Sequence, residues 1–256
     1  MNFELSEEQE AVRDLAEQIF SGSVDVERVK EIEASEDRFD RALWSELADA
    51  NLLGIALPEE HGGSGLGVTE ACLVLEQQGR VVAPVPYWAT VMCGALPVAA
   101  FGTRAQQAAL LPGVVAGDVI LTAALAEAGI NDPLAPQAAA TRDGDGWRIS
   151  GFKPSVPAAH VATRVLVPAS TADGVEVLLV DPAGPGVTVE RAVTTNREIV
   201  GHLTFDGAPA ERVGDGSVAG ERVLGAMVDR ALLGLCALQV GHQGAVISTR
   251  IDLPWA

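Results

Sequence analysis

Lysine is almost missing from this chain. Lys30 and Lys153 are the only two, and with the arginines they make 17 basic side chains against 35 acidic ones, a net charge of −18. That deficit excludes the clustered cationic surface on which nucleic-acid binding depends. It also gives no long-range attraction for an anionic ligand, which would have to be held by local contacts. Cysteine is scarce too: Cys72, Cys93 and Cys236 stand singly within apolar runs. They form no metal-type spacing, and an odd count speaks against a disulfide framework. The expected setting is a reducing, cytoplasmic one. No apolar run reads as a membrane span, because the longest, near residues 92–101 and 232–240, fall short of the ~20 residues needed. The opening residues carry neither a basic nor an apolar signal segment, so no secretory signal is expected.

What is present is enough apolar material, 48% of 256 residues, to bury a sizeable core. The apolar period changes along the chain. Residues 5–20 place Val12, Leu15, Ala16, Ile19 and Phe20 on one helical stripe, and Ser6 followed by Gln9 is a capping box that starts the helix. Further helices are predicted over 41–51, 69–79, 87–101 and 103–111, with a Pro- and Gly-rich loop at 57–65. From Asp118 the pattern turns β-rich, with strands expected over 119–125, 138–142, 147–150, 161–167, 175–180, 187–193 and 203–205. Their turn-separated spacing suggests a small barrel or sandwich. Beyond Gly216 the chain reads as helical again. The fold class is therefore α+β: an N-terminal helical domain over 1–117, a β domain over 118–215, and the start of a C-terminal helical domain over 216–256. The run Leu232 to Leu238 is apolar on nearly all sides, and a helix of that kind has to be covered. An oligomer is expected.

Several runs carry a family resemblance. Phe3-Glu4-Leu5-Ser6-Glu7-Glu8-Gln9 opens the first helix. Leu53-Gly54-Ile55-Ala56-Leu57-Pro58-Glu59-Glu60-His61-Gly62-Gly63-Ser64-Gly65-Leu66-Gly67 forms the first loop. Trp147-Arg148-Ile149-Ser150-Gly151-Phe152-Lys153 holds a Gly-x-Lys strand. In that order they resemble the acyl-CoA dehydrogenase family, over roughly residues 3–240. Singly they have plainer readings: His61 as a loop residue, Gly62 and Gly63 as turn glycines, Trp147 as a core residue, Lys153 as an exposed side chain.

The resemblance implies FAD as cofactor and an acyl-CoA as substrate, with a carboxylate taking the α-proton while a hydride passes to the flavin. The acyl group would be fatty or a steroid side chain. It further implies an electron-transferring flavoprotein as electron acceptor, and a homo-oligomer or a hetero-oligomer with a second dehydrogenase subunit. The positions carried over to the cofactor are Leu125 and Ala126 in one segment, and Ser155, Val156 and Pro157 in another; Asn131 and Asp132 are carried over to substrate binding. Ala126 and Pro157 stand where the family usually has a hydroxyl, and Ser155 where it usually has an aromatic residue. Each lost hydroxyl removes a hydrogen bond of about 0.5–1.5 kcal/mol. No catalytic residue is assigned. The family's base lies in its C-terminal helices, and residues 241–256 do not continue that pattern, whether through a frameshift, trimming or natural truncation. By itself the chain is expected to be inactive. The alternatives are a non-catalytic partner in a heteromeric dehydrogenase, a truncated fragment, or a related flavin monooxygenase.

Overall fold

The structure, a computed structural model, describes residues 4–129 and 132–251. The first helix, α1 (Glu7–Ser23), starts at the capping box: Gln9 N–H donates to Ser6 Oγ at 3.2 Å and Ser6 N–H donates to Gln9 Oε1 at 3.0 Å. Its Val12, Ala16, Ile19 and Phe20 are buried, each large side chain contributing about 1.5–3 kcal/mol of apolar burial. α2 (Val26–Ala34) was not expected. It is highly charged and buries only Ile32, and its legible signal was the N-cap Asp25, which accepts from Arg28 N–H at 2.7 Å. α3 (Arg41–Asp49) buries Leu43, Trp44 and Leu47. The loop that follows contains a 3₁₀ turn over Glu59–His61, closed by Gly62 at φ 87°. A Cβ on Gly63 would collide with the Leu57 carbonyl. Both glycines are thus accounted for by backbone geometry.

α4 (Val68–Val81) is followed by a stretch predicted as one helix over 87–101. It is instead π-helical over Trp88–Ala95 and α-helical in α5 (Leu96–Phe101). Leu96 N–H bonds back to Val91 O, five residues earlier. Pro97 then lacks the N–H with which the ladder would continue. α6 (Arg104–Val115) starts at a second capping box, Thr103 with Gln106.

Seven strands follow: β1 (Leu121–Ala123), β2 (Ala139–Asp143), β3 (Gly146–Pro157), β4 (Arg164–Thr171), β5 (Gly174–Val180), β6 (Val187–Val193) and β7 (Ile199–Arg212). β4, β2, β3, β7 and β5 pair in that order and β5 pairs with β4 again, so the sheet closes into a barrel and the sandwich alternative falls away. β1 joins the ring parallel to β4, and β6 joins antiparallel to β7. Trp147, Ile149, Val156, Leu178, Leu203 and Phe205 fill the barrel. β4 and β5 are shared between two cores. Val165, Val167, Leu178 and Val180 point into the barrel, while Leu166, Val177 and Leu179 join the core of the helices. Strands covered on both faces read as continuous apolar runs.

The last helix, α7 (Gly220–Ile251), lies along α4. The axes approach closely at two glycines: a Cβ on Gly79 would strike the Leu238 carbonyl, and one on Gly241 the Glu76 carbonyl. Trp88 Nε1 adds a bond to Ala231 O at 2.9 Å. Leu224, Met227 and Ala231 are buried, whereas Leu232 is 57% exposed and Leu233, Leu235 and Val240 are exposed as well. The absence of a spanning segment read from the sequence needs correction. Gly220–Val246 is long and apolar enough to cross a membrane by length and composition, an 18-residue window within it having mean hydropathy 1.6. A search for unbroken apolar runs stops at Asp229 and Arg230; an 18-residue window spans them.

Candidate functional site

The two segments carried over from the family meet at one end of the barrel. The first is the turn that leaves β1. Ala124 N–H donates to Leu166 O at 2.9 Å, and the chain then turns through Leu125, Ala126 and Glu127. The second is the end of β3. Two ties join them. Thr122 Oγ1, fully buried, donates to Pro157 O at 2.6 Å. Lys153 Nζ, also buried, donates to Glu127 Oε1 in an ion pair whose two side chains are each 1% exposed.

Lys153 is therefore not an exposed side chain. It is among the largest fully buried side chains of the molecule. Side chains alternate along a strand, and Trp147, Ile149 and Lys153 share one phase, so an inward Lys153 follows from Trp147, already read as core. Burial holds the Lys153 ammonium below the ordinary lysine range, with Glu127 working in the opposite sense. Glu127 Oε1 also accepts from Gln137 N–H at 3.1 Å, which gathers the loop between β1 and β2 onto the pair. Glu127 Oε2 is buried without a hydrogen-bond partner among the described residues. The pair is enclosed, so its role is to fix the turn against the strand. Losing one partner of a buried pair strands a charge and costs about 3–5 kcal/mol.

The outward phase of β3 is reset by a bulge. The β3–β7 register slips between Lys153 and Val156. Without the slip, Ser155 would follow Lys153 inward. With it, Val156 takes the inward position in the barrel core and Ser155 is turned out, its backbone left-handed at φ 53°. A non-glycine residue in that region is strained, and such strain gathers at ligand-facing sites. Ser155 N–H donates to His202 Nδ1 at 3.0 Å, and the His202 ring lies 6.0 Å from the ring of Phe152. Neither His202 nor Phe152 was singled out from the sequence; each is one residue in a strand, and only the bulge brings them beside Ser155.

Of the sequence-derived positions, Leu125 is half-buried against the helical core, and Ala126 and Ser155 are exposed. Val156 has its side chain in the barrel, leaving only backbone for a ligand. Pro157 is half-buried with its carbonyl engaged by Thr122. Asp132 is exposed and caps its own loop by accepting from Leu134 N–H at 2.9 Å. Asn131 lies outside the described residues. Ala126, Phe152 and Ser155 are exposed beside the buried Lys153–Glu127 pair and form the candidate face. It fits a planar group held mainly through backbone contacts. It offers no hydroxyl at positions 126 and 157.

Comparison with known proteins bears on the same region. A family model described as "Acyl-CoA dehydrogenase, N-terminal domain" matches residues 6–118. The chain is 39% identical over 222 residues to acyl-CoA dehydrogenase FadE27 of Mycobacterium tuberculosis, covering 86% of this chain and 58% of that protein. Among solved structures, it resembles a variant of the Tcur3481-Tcur3483 steroid ACAD at 46% identity and TM-score 0.86, covering 92% of this chain and 63% of that one. It also resembles the ChsE4-ChsE5 complex from Mycobacterium tuberculosis at 36% identity and TM-score 0.86, covering 94% and 65%. The chain thus spans less than two thirds of the length of each of these relatives.

Proposed function

Because this chain belongs to the acyl-CoA dehydrogenase family, we propose that it supplies the helical and barrel parts of a cytoplasmic, FAD-dependent subunit for α,β-dehydrogenation of an acyl-CoA. The acyl group proposed is a steroid side chain or a fatty chain; two of the similar structures carry steroid ACAD or ChsE4-ChsE5 in their names. The division into 1–117, 118–215 and 216–256 is proposed with it. The observation that carries the reading is the joining of the turn at Leu125 and Ala126 to the bulge at Ser155 through the buried Lys153–Glu127 pair.

Bound there, flavin would supply the hydride acceptor. The chain's own residues do the positioning. Lys153 and Glu127 hold the turn, Thr122 holds the end of β3, and Ser155 presents its exposed side chain and strained backbone on the outer face. Leu125 closes the side toward the helices. Asn131 and Asp132 are proposed for the substrate side of the same loop. Fixing such elements before the ligand arrives lowers the entropic cost of aligning the reacting atoms. An electron-transferring flavoprotein is the proposed electron acceptor.

A second reading is a non-catalytic subunit of a hetero-oligomer. It is favoured by Ala126 and Pro157, which remove two side-chain hydroxyls from the proposed cofactor face. One experiment separates the two. The purified chain is scanned for flavin absorbance, then assayed with steroid-side-chain and fatty acyl-CoA esters and a dye acceptor, alone and with a second dehydrogenase subunit. A yellow preparation with turnover supports the first reading, and a colourless one that raises the partner's activity supports the second. A colourless chain without effect on any partner overturns both.

A further inference from the structure

We infer that His202 reads the ligand at the β3 bulge: its imidazole, oriented by the Ser155 amide, presents Nε2–H to an acceptor atom of a planar aromatic ligand on the outer face of β3 and β7. The identity of that ligand as flavin rests on the proposed function.

The hydrogen-bond chemistry sets the orientation. Ser155 N–H is a donor, so His202 Nδ1, 3.0 Å away, has to be the unprotonated nitrogen. The neutral ring that keeps this bond carries its proton on Nε2. Among the described residues nothing is bonded to Nε2, and the ring is only half-buried. The chain thereby fixes the tautomer and leaves the donor facing outward.

The surroundings suit a flat ligand. Phe152 pairs in register with Thr204, which shares a strand face with His202 two residues away. Phe152 is 43% exposed, a large apolar ring on an outer strand face, and its plane is tilted 43° to that of His202. Ser155 adds a small exposed side chain where the bulge turns the strand outward. Phe152 and His202 therefore border an exposed surface with one polar donor beside apolar ring area. The left-handed Ser155 backbone is what aims its N–H at the imidazole. The charged group opposite His202 in register is Glu190 on β6.

The test uses the full chain, wild type, H202A and H202N. FAD affinity is measured by flavin fluorescence, and the imidazole nitrogens are followed by NMR in ¹⁵N-histidine-labelled protein. Asparagine retains an acceptor for Ser155 and an N–H donor beyond it. Expected are an Nε2–H tautomer in the free protein, a shift of Nε2 on adding FAD, about a 2- to 10-fold loss of affinity in H202A, and recovery in H202N. Wild-type affinity in H202A, or an Nε2 signal unmoved by bound FAD, overturns the inference and leaves the proposed function intact. Loss of affinity in both variants with unchanged thermal unfolding also overturns it, because the conservative variant then fails to rescue. A wild-type chain that takes up no FAD overturns the flavin reading, and the assigned ligand of His202 with it.

Discussion

Two carboxylate–cation pairs sit in different parts of the molecule and are finished differently. At the edge of the helices, Asp40 is 1% exposed and receives a fork from Arg28, Nε at 2.7 Å and an Nη at 2.8 Å, plus Leu43 N–H at 3.1 Å. Both oxygens are satisfied, and the same carboxylate caps α3. In the barrel, Glu127 receives Lys153 and Gln137 N–H on one oxygen while the other has no partner among the described residues. Arginine's planar fork matches a carboxylate; lysine acts as a point charge. The helical pair is complete and reaches solvent through Arg28, 31% exposed. The barrel pair is enclosed and incomplete. An enclosed, half-satisfied pair is a poor way to gain stability, and its position between the two proposed cofactor segments supplies another reason for it to be there.

Removing one cation separates the two cases most sharply. Lys153→Met is expected to destabilise the fold by about 3–5 kcal/mol, because Glu127 is left charged and enclosed. Chemical denaturation reads this. K153M/E127Q should recover a large part of the loss, and a double variant no better than K153M would mean that the cost lies in lost volume and not in charge. Asp40→Ala removes a cap and a fork, expected at about 2 kcal/mol, less than in the barrel because Arg28 can turn to water. Added salt should narrow the Asp40 difference and leave that at Lys153 unchanged.

Acid distinguishes them next. Burial raises the Asp40 carboxyl, but the Arg28 fork and the Leu43 and Ala42 amides outweigh it and hold the group below the ordinary aspartate range. A carboxyl lowered in the folded state contributes stability that is complete above its unfolded value of about 3.9 and is lost as pH falls through the folded one. Denaturation midpoints of wild type and Asp40→Asn should therefore converge as pH falls below the ordinary aspartate range. Midpoints that stay apart there would assign the effect of Asp40 to packing.

The smallest effect concerns the strain that the barrel pair holds in place. Ser155→Gly should relieve the left-handed backbone at φ 53°, offset by the added freedom of glycine in the unfolded chain, for a gain of up to about 1 kcal/mol. A loss of stability would show that the Ser155 side chain makes a contact worth more than the strain.

Much of this was legible in the sequence, for physical reasons. β5 and β6 were placed to within a residue because Val-rich runs bounded by Gly and Pro leave one period to choose. The barrel's inward residues Trp147 and Ile149 follow from alternation. α2 was missed because one buried Ile32 cannot mark a stripe and its only readable signal was the N-cap Asp25. The site was half legible. Leu125, Ala126 and Ser155 came from the resemblance. The partnership of Lys153 with Glu127 spans 26 residues, and the meeting of Ser155 with His202 depends on a register slip that leaves no compositional trace.

β4 and β5 carry a further consequence. Leu166, Val177 and Leu179 belong to the helices' interior, and their immediate neighbours Val165, Val167, Leu178 and Val180 to that of the barrel. Neither interior can come apart without stripping one side of the strands that line the other. Hydrogen exchange from the amides of these two strands should therefore report one opening event with the full unfolding free energy, and the protective unit should run from α4 through β5 without a break. A protein cut at the boundary between helices and barrel would lose cooperativity on both sides of the cut.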